Sequence, residues 1–159
     1  MESERKFLVK KMPRSYLKNR SKEITQWYIC LDPPIRVRVE DFEDCCLTIK
    51  TDGEIREGYK KRSELNGEIP KDAAFNLAAF RKHNKIRKTR YLIGVLDLDV
   101  FLAQLKGLVL LEFERESDND AFEMPADILA EEVTCDERFE NQNLIKLDCI
   151  PEEWRCEII

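Results

Sequence analysis

Charge recurs at every second residue along several separate stretches of this chain. Period two belongs to an extended strand, whose side chains point alternately to its two faces. In the opening ESERKFLV, Glu2, Glu4 and Lys6 share one face, and Phe7 and Val9 take the other. IRVRVE sets Arg36 and Arg38 against Ile35, Val37 and Val39, and CCLTIKT sets Thr48 and Lys50 against Leu47 and Ile49. RSELNGEI alternates Arg62, Glu64, Asn66 and Glu68 with Leu65 and Ile69. Lys88 and Arg90 share a face in IRKTRYLI. Glu112 and Glu114 do so in LVLLEFER, where Leu108 and Leu110 precede them on the same side.

A wet-faced antiparallel sheet accounts for any one of these strands. The set asks for more, because each strand carries mostly one sign and the basic strands favour arginine, which suits phosphate recognition. About eight strands are enough to close a barrel around one small ligand. The expected fold is therefore α+β: a closed eight-stranded antiparallel barrel with a charged interior and a few flanking helices.

The remaining chain is divided by turn and helix signals. Strands are expected over 2–10, 24–31, 35–40, 45–51, 62–69, 86–93, 95–101 and 108–115, with Asp32-Pro33-Pro34 breaking the second from the third. The polar, glycine-containing stretch 51–62 reads as a hairpin connection. KDAAFNLAAFRKH, 71–83, has the spacing of an amphipathic helix ending at His83. A second helix is expected over 118–130, interrupted at Pro125, and a short one over 141–147; residues 148–159 have no assigned structure. The 159 residues are expected to form a single domain.

Composition narrows the chemistry. Charged residues make up 37% of the chain, against about 25% in a typical soluble domain. Yet 32 acidic and 27 basic residues leave a net charge of only −5, which disfavours a general nucleic-acid partner. No apolar run is long enough to span a membrane and no apolar leader follows the first residues, so a cytoplasmic location with reduced thiols is expected. The six cysteines lack CxxC spacing, and His83 is the one histidine, which leaves little for a zinc site or a histidine-based triad. Trp27, Tyr28 and Phe101 read as packing residues.

Taken in order, the motifs resemble those of the CYTH, or triphosphate tunnel metalloenzyme, family. They run from Glu2-Ser-Glu4-Arg-Lys6 followed by FLV, through TQ-x-Y at 25–28, Arg36-x-Arg38, TIK ending at Lys50, and Arg62-x-Glu64 leading to EIP at 68–70. KTRY at 88–91, LDVF at 98–101, Glu112-x-Glu114 and EVTxDxRFxN at 132–141 complete the series, which covers about residues 2–147. One position departs from the family's R-x-E-x-E strand, where Asn66 replaces the second glutamate.

The resemblance implies a tunnel that binds a small-molecule triphosphate end-on with Mg²⁺ or Mn²⁺, without nucleic acid or membrane partners, and with a homodimer as a family precedent. It implies metal ligands at Glu2, Glu4, Glu112 and Glu114, and phosphate contacts from Lys6, Arg36, Arg38, Lys50, Arg62, Lys88 and Arg90. Lys6, Lys88 and Glu64 take catalytic roles, the lysines near the scissile phosphoryl group and Glu64 supporting a second ion. The leading expectation is hydrolysis of inorganic tripolyphosphate to pyrophosphate and phosphate, as in the bacterial tripolyphosphatase branch. Class IV adenylate cyclase, thiamine triphosphatase and a non-catalytic polyphosphate or nucleotide-binding module are the alternatives.

Overall fold

The alternating segments are strands in a computed structural model, which describes residues 2–51 and 53–159. They are β1 (Glu2–Met12), β2 (Ser21–Leu31), β3 (Pro34–Glu40), β4 (Asp44–Lys50), β5 (Glu54–Arg56), β6 (Tyr59–Arg62) and β7 (Glu64–Glu68). After helix α1 (Lys71–Leu77) come β8 (Lys82–Ile93), β9 (Leu96–Phe101), β10 (Val109–Glu114) and β11 (Leu129–Glu132), then helix α2 (Asn141–Leu144) and β12 (Glu157–Ile158). The hydrogen-bonded order is β5-β6-β1-β10-β9-β8-β2-β3-β4-β7, with β11 and β12 added on β1. All ladders are antiparallel except β1 with β12.

This corrects the expected closed eight-stranded barrel. The ladder is an open path of ten strands, a half-barrel, with no pairing between β7 and the β5–β6 hairpin among the described residues. The reason lies in one bent run of chain. Only Ser63 separates β6 from β7; the first part pairs with β1 and the second with β4. Chain continuity and ion pairs, rather than a ladder, join the wall there: Lys50 Nζ of β4 donates to both carboxylate oxygens of Glu2 of β1, at 2.9 Å each.

Local chemistry fixes the tight connections. β8 and β9 join through Gly94-Val95, and Gly94 takes φ +60°, the backbone that a two-residue hairpin needs at its first turn position. Glu57 and Gly58, both at positive φ, turn β5 into β6 in the same economical way.

The outer faces of β1, β9 and β10 bury Phe7, Val9, Leu98, Leu111 and Phe113 in one apolar cluster. The outer faces of β2, β3 and β4 bury Trp27, Val37, Val39 and Cys45 under Ala74 of α1. The inner face changes character along its length. Beyond Lys6, Lys88 and Glu112 it continues as Leu8, Ile86 and Leu110, which pack with Phe139, Leu144, Ile145 and Trp154. This is the meaning of the leucines preceding Glu112 on its own face: one end of the charged cavity is floored by apolar side chains.

Two further expectations are corrected, and the segment left unassigned gains a structure. Residues 118–130 form no helix before β11 begins at Leu129. The Asp120 carboxylate accepts from the backbone N–H groups of Glu116 and Ser117, and such local bonds compete with helix formation. Phe122 meanwhile docks on Phe113 (ring centroids 4.6 Å) and Phe7 (5.6 Å). His83 does not end a helix: α1 stops at Leu77, a 3-10 turn spans Ala78–Phe80, and His83 lies exposed in β8. The segment 148–159 is built into the fold, with Trp154 stacked at 4.4 Å on Phe139 and β12 paired to Lys11 and Met12. All six cysteines are free thiols.

Candidate active site

All twelve residues that the resemblance assigns to the site line one cavity of about 770 Å³, open mouth included. β1 supplies Glu2, Glu4 and Lys6; β3 supplies Arg36 and Arg38; Lys50, Arg62 and Glu64 come from β4, β6 and β7; Lys88 and Arg90 from β8; Glu112 and Glu114 from β10. Register explains the grouping. Glu4 lies opposite Glu114 and Lys6 opposite Glu112, so β1 and β10 set two carboxylates, then a lysine and a carboxylate, side by side. The cavity also takes in Gln26, Tyr28, Asp97, Glu140, Asn141 and Gln142.

The signs are not evenly spread. On the β3–β8 side, Arg36 is only 7% exposed, yet it forms no ion pair among the described residues. The Nε–H groups of Arg36, Arg38 and Arg62 are buried without a hydrogen-bond acceptor. Burial, with the like charges of Arg90 and Arg36, pulls Arg38 below its ordinary range. Lys88, almost fully enclosed, is brought down to about 8 by burial, and Arg90 adds to the shift. What holds this wall together is Asp99. Its carboxylate is inaccessible and accepts from Lys88 Nζ at 2.5 Å and from Arg90 Nε and Nη2 at 2.6 and 2.7 Å. Arg90 reaches onward to Asp97 and Glu112, each at 2.9 Å.

On the β1–β7–β10 side the carboxylates crowd one another. Burial raises Glu2 to about 7, with Glu4 and Glu64 adding to the shift against the opposing Lys50. Glu114 is raised by burial and by Glu64 and Glu4. Glu112 behaves in the opposite way: burial disfavours its charge, but Lys6, Lys88 and Arg90 outweigh burial and hold it well below the usual range. Lys6 is buried too, and Glu4 and Glu112 more than offset that cost, so it stays a cation. Asn66 Nδ2 donates to Glu64 at 2.5 Å and its Oδ1 accepts from Thr48 at 2.6 Å, which engages both ends of the amide where the family has a glutamate.

Among the described residues no three acidic, histidine or cysteine side chains converge as a ready-made metal centre. The donor set nevertheless suits a hard cation, because Glu2, Glu4, Glu64 and Glu114 repel one another and all offer oxygen. Glu2 has the heaviest prior engagement, with Lys50 and with Arg62 at 3.8 Å.

No family model matches the chain. An inorganic triphosphatase from Acetivibrio thermocellus is 35% identical over 128 residues, 76% of this chain and 78% of that protein. The chain belongs to the inorganic triphosphatase branch of the triphosphate tunnel family. The solved structure of the inorganic triphosphatase NE1496 matches 95% of this chain and 97% of its own at 28% identity, with a TM-score of 0.62. HpAC1 from Hippeastrum, described as a putative adenylyl cyclase with a dominant triphosphatase activity, shares the fold alone. Its TM-score is 0.58 at 15% identity, over 74% of this chain and 80% of that one.

Within this family frame, several wall residues escaped the sequence reading. Asp97 and Asp99 carry the same period-two signal in LDLDV, which the charge alternation of the other strands could have exposed. Tyr28 was expected to pack; it does, but it also lines the cavity beside Arg36. Gln26 has no charge to register in such a pattern. Glu140 immediately precedes α2 and Asn141 and Gln142 open it; Glu140 pairs with Lys60 and approaches Arg62 at 4.0 Å. Periodicity holds no signal for a segment of that kind.

Proposed function

We propose that this protein hydrolyses inorganic triphosphate to pyrophosphate and phosphate inside the half-barrel, with Mg²⁺ or Mn²⁺. The observation that carries the reading is the under-compensated basic wall. The buried Arg36 guanidinium without a carboxylate, together with the Nε–H groups of Arg38 and Arg62 that also lack acceptors, calls for an anion with many oxygens. A triphosphate supplies them, and the crowded carboxylates opposite call for the cation that accompanies it. The 35% identical inorganic triphosphatase supports the same substrate.

In this reading Arg36, Arg38, Lys50, Arg62 and Arg90 spread over the phosphate oxygens, and Lys6 and Lys88 lie nearest the scissile phosphoryl group. Positioning and charge stabilisation are the main work of phosphoryl transfer, which a rigid wall of paired cations performs without rearrangement. Asp99 holds Lys88 and Arg90 aimed inward. Glu4 and Glu114, with Glu2 and Glu112 beside them, would hold the divalent ion, and Glu64, which lines the same cavity, would support a second. When bound, the ion supplies charge neutralisation at the phosphate oxygens and a Lewis acid.

Phosphate release from tripolyphosphate, ATP and thiamine triphosphate, with and without Mg²⁺ or Mn²⁺, tests this directly. Metal-dependent release is expected, fastest from tripolyphosphate. No release from any of the three refutes the hydrolase reading, and cyclic AMP formed from ATP replaces it with a cyclase.

A further inference from the structure

Gln26 is completely buried and lines the cavity from β2, flanked in register by Arg38 of β3 and Ile86 of β8. Among the described residues neither its Nε2 nor its Oε1 has a hydrogen-bond partner. The neighbours explain this: Ile86 offers no polar side-chain atom, and Arg38 directs its guanidinium to Glu40 at 2.6 Å. Buried amides are almost always paired, so an amide unpaired at both ends on a cavity wall is shaped for a ligand. Because both ends are unpaired, turning the amide over exchanges its oxygen and nitrogen without breaking any bond within the protein.

The two ends ask for different partners. Nε2 donates, and any triphosphate oxygen accepts. Oε1 accepts, and the inner oxygens of a triphosphate have no proton to give. Of the cations on the adjoining strands, Lys88 is already bound to Asp99 and Arg38 to Glu40, and neither donates to Gln26. Of the two reactants, triphosphate and water, water is the one that donates. Its oxygen bonds to the terminal phosphorus as the bond from that phosphorus to the bridging oxygen breaks. Pyrophosphate leaves with the electron pair, and the proton lost by the water passes to the phosphate products.

We propose that Gln26 is a catalytic residue that positions the attacking water: Oε1 accepts a hydrogen bond from the water while Nε2 donates to an oxygen of the terminal phosphoryl group. This rests on the triphosphatase reading. It goes further by assigning the nucleophile's position to a neutral side chain.

Gln26→Met, close in shape but without the amide, is the test. With tripolyphosphate and Mg²⁺ or Mn²⁺, kcat falls about 10²–10³-fold, while KM stays within about threefold of wild type. Calorimetric affinity for tripolyphosphate without metal also stays within about threefold, and Tm does not fall, because no protein bond is lost. Three results overturn the proposal: a raised KM with unchanged kcat, which makes the amide a phosphate contact only; unchanged kcat and KM; or a lowered Tm or failure to fold, which makes the amide structural. A wild-type protein that releases no phosphate instead removes the triphosphatase reading itself.

Discussion

Asp99→Asn removes the charge that joins Lys88 to Arg90 in the basic wall while keeping the side chain's size. Asp99 is inaccessible, Lys88 is 2% exposed, and three short bonds join the carboxylate to Lys88 and Arg90. An asparagine has one oxygen to offer and turns an N–H₂ toward the other cation. Arg90 retains Asp97 and Glu112, but Lys88 keeps no ion pair among the described residues. Breaking a buried pair from one side typically costs 3–5 kcal/mol, because a charge is left without compensation; about 4 kcal/mol is expected here. For a domain of this length that corresponds to a fall in Tm of roughly 10 °C. Calorimetry and urea unfolding without metal provide the measurement. Tripolyphosphate should then stabilise the variant at least as much as the wild type, since the ligand supplies the missing negative charge; at about 100 times its Kd, mass action gives about 2.7 kcal/mol. A variant that melts within about 2 °C of wild type refutes the assignment of Asp99 as the counter-ion of this wall.

Lys88, brought down to about 8, is charged below that pH and neutral above it. The pH profile of kcat/KM for tripolyphosphate should therefore fall on its alkaline side from about pH 8, and Lys88→Arg should move that limb upward; a flat profile from pH 7 to 9.5 contradicts this. Glu4→Gln should reduce turnover at least about 100-fold with an unchanged circular dichroism spectrum, and wild-type activity in it would mean that this face of β1 takes no part. Asn66→Glu sets a second carboxylate beside Glu64, so Mg²⁺ or Mn²⁺ should bind roughly tenfold more tightly by calorimetry; unchanged affinity makes that departure from the family irrelevant to the metal.

The site was far more legible in the sequence than the fold around it. Period-two charge is a local property, and each strand reports its own inward face, so Glu2, Glu4, Lys6, Arg36, Arg38 and their counterparts could be found without knowing which strands touch. Closure is not local. Whether β7 pairs with β6 depends on the bend at Ser63, and no alternation encodes that. The expected helix over 118–130 failed because Asp120 and Phe122 found better partners than a helix offers, one in backbone N–H groups and the other in distant aromatic rings. Gln26 stood within the TQ-x-Y motif but drew no role, for a chemical reason: a neutral amide on a strand looks ordinary until its surroundings prove to offer it nothing. The 148–159 segment likewise gains its order from distant partners: Phe139, β1 and the Gly107 carbonyl, which accepts from the Cys156 N–H.

The first strand has a consequence for how the molecule assembles. β1 pairs with β6, β10, β11 and β12, so Glu4 meets Glu114 and Met12 meets Ile158. As the chain emerges from the ribosome, β6 comes early enough to pair with Glu2–Glu4, but the rest of this hub must wait for β10, β11 and β12, made more than a hundred residues later. Contacts so distant in sequence make folding slow, because a long loop is closed before any of them forms. Until then Phe7, Leu8 and Val9 stay exposed on the unpaired part of that strand, where chaperones would bind the nascent chain.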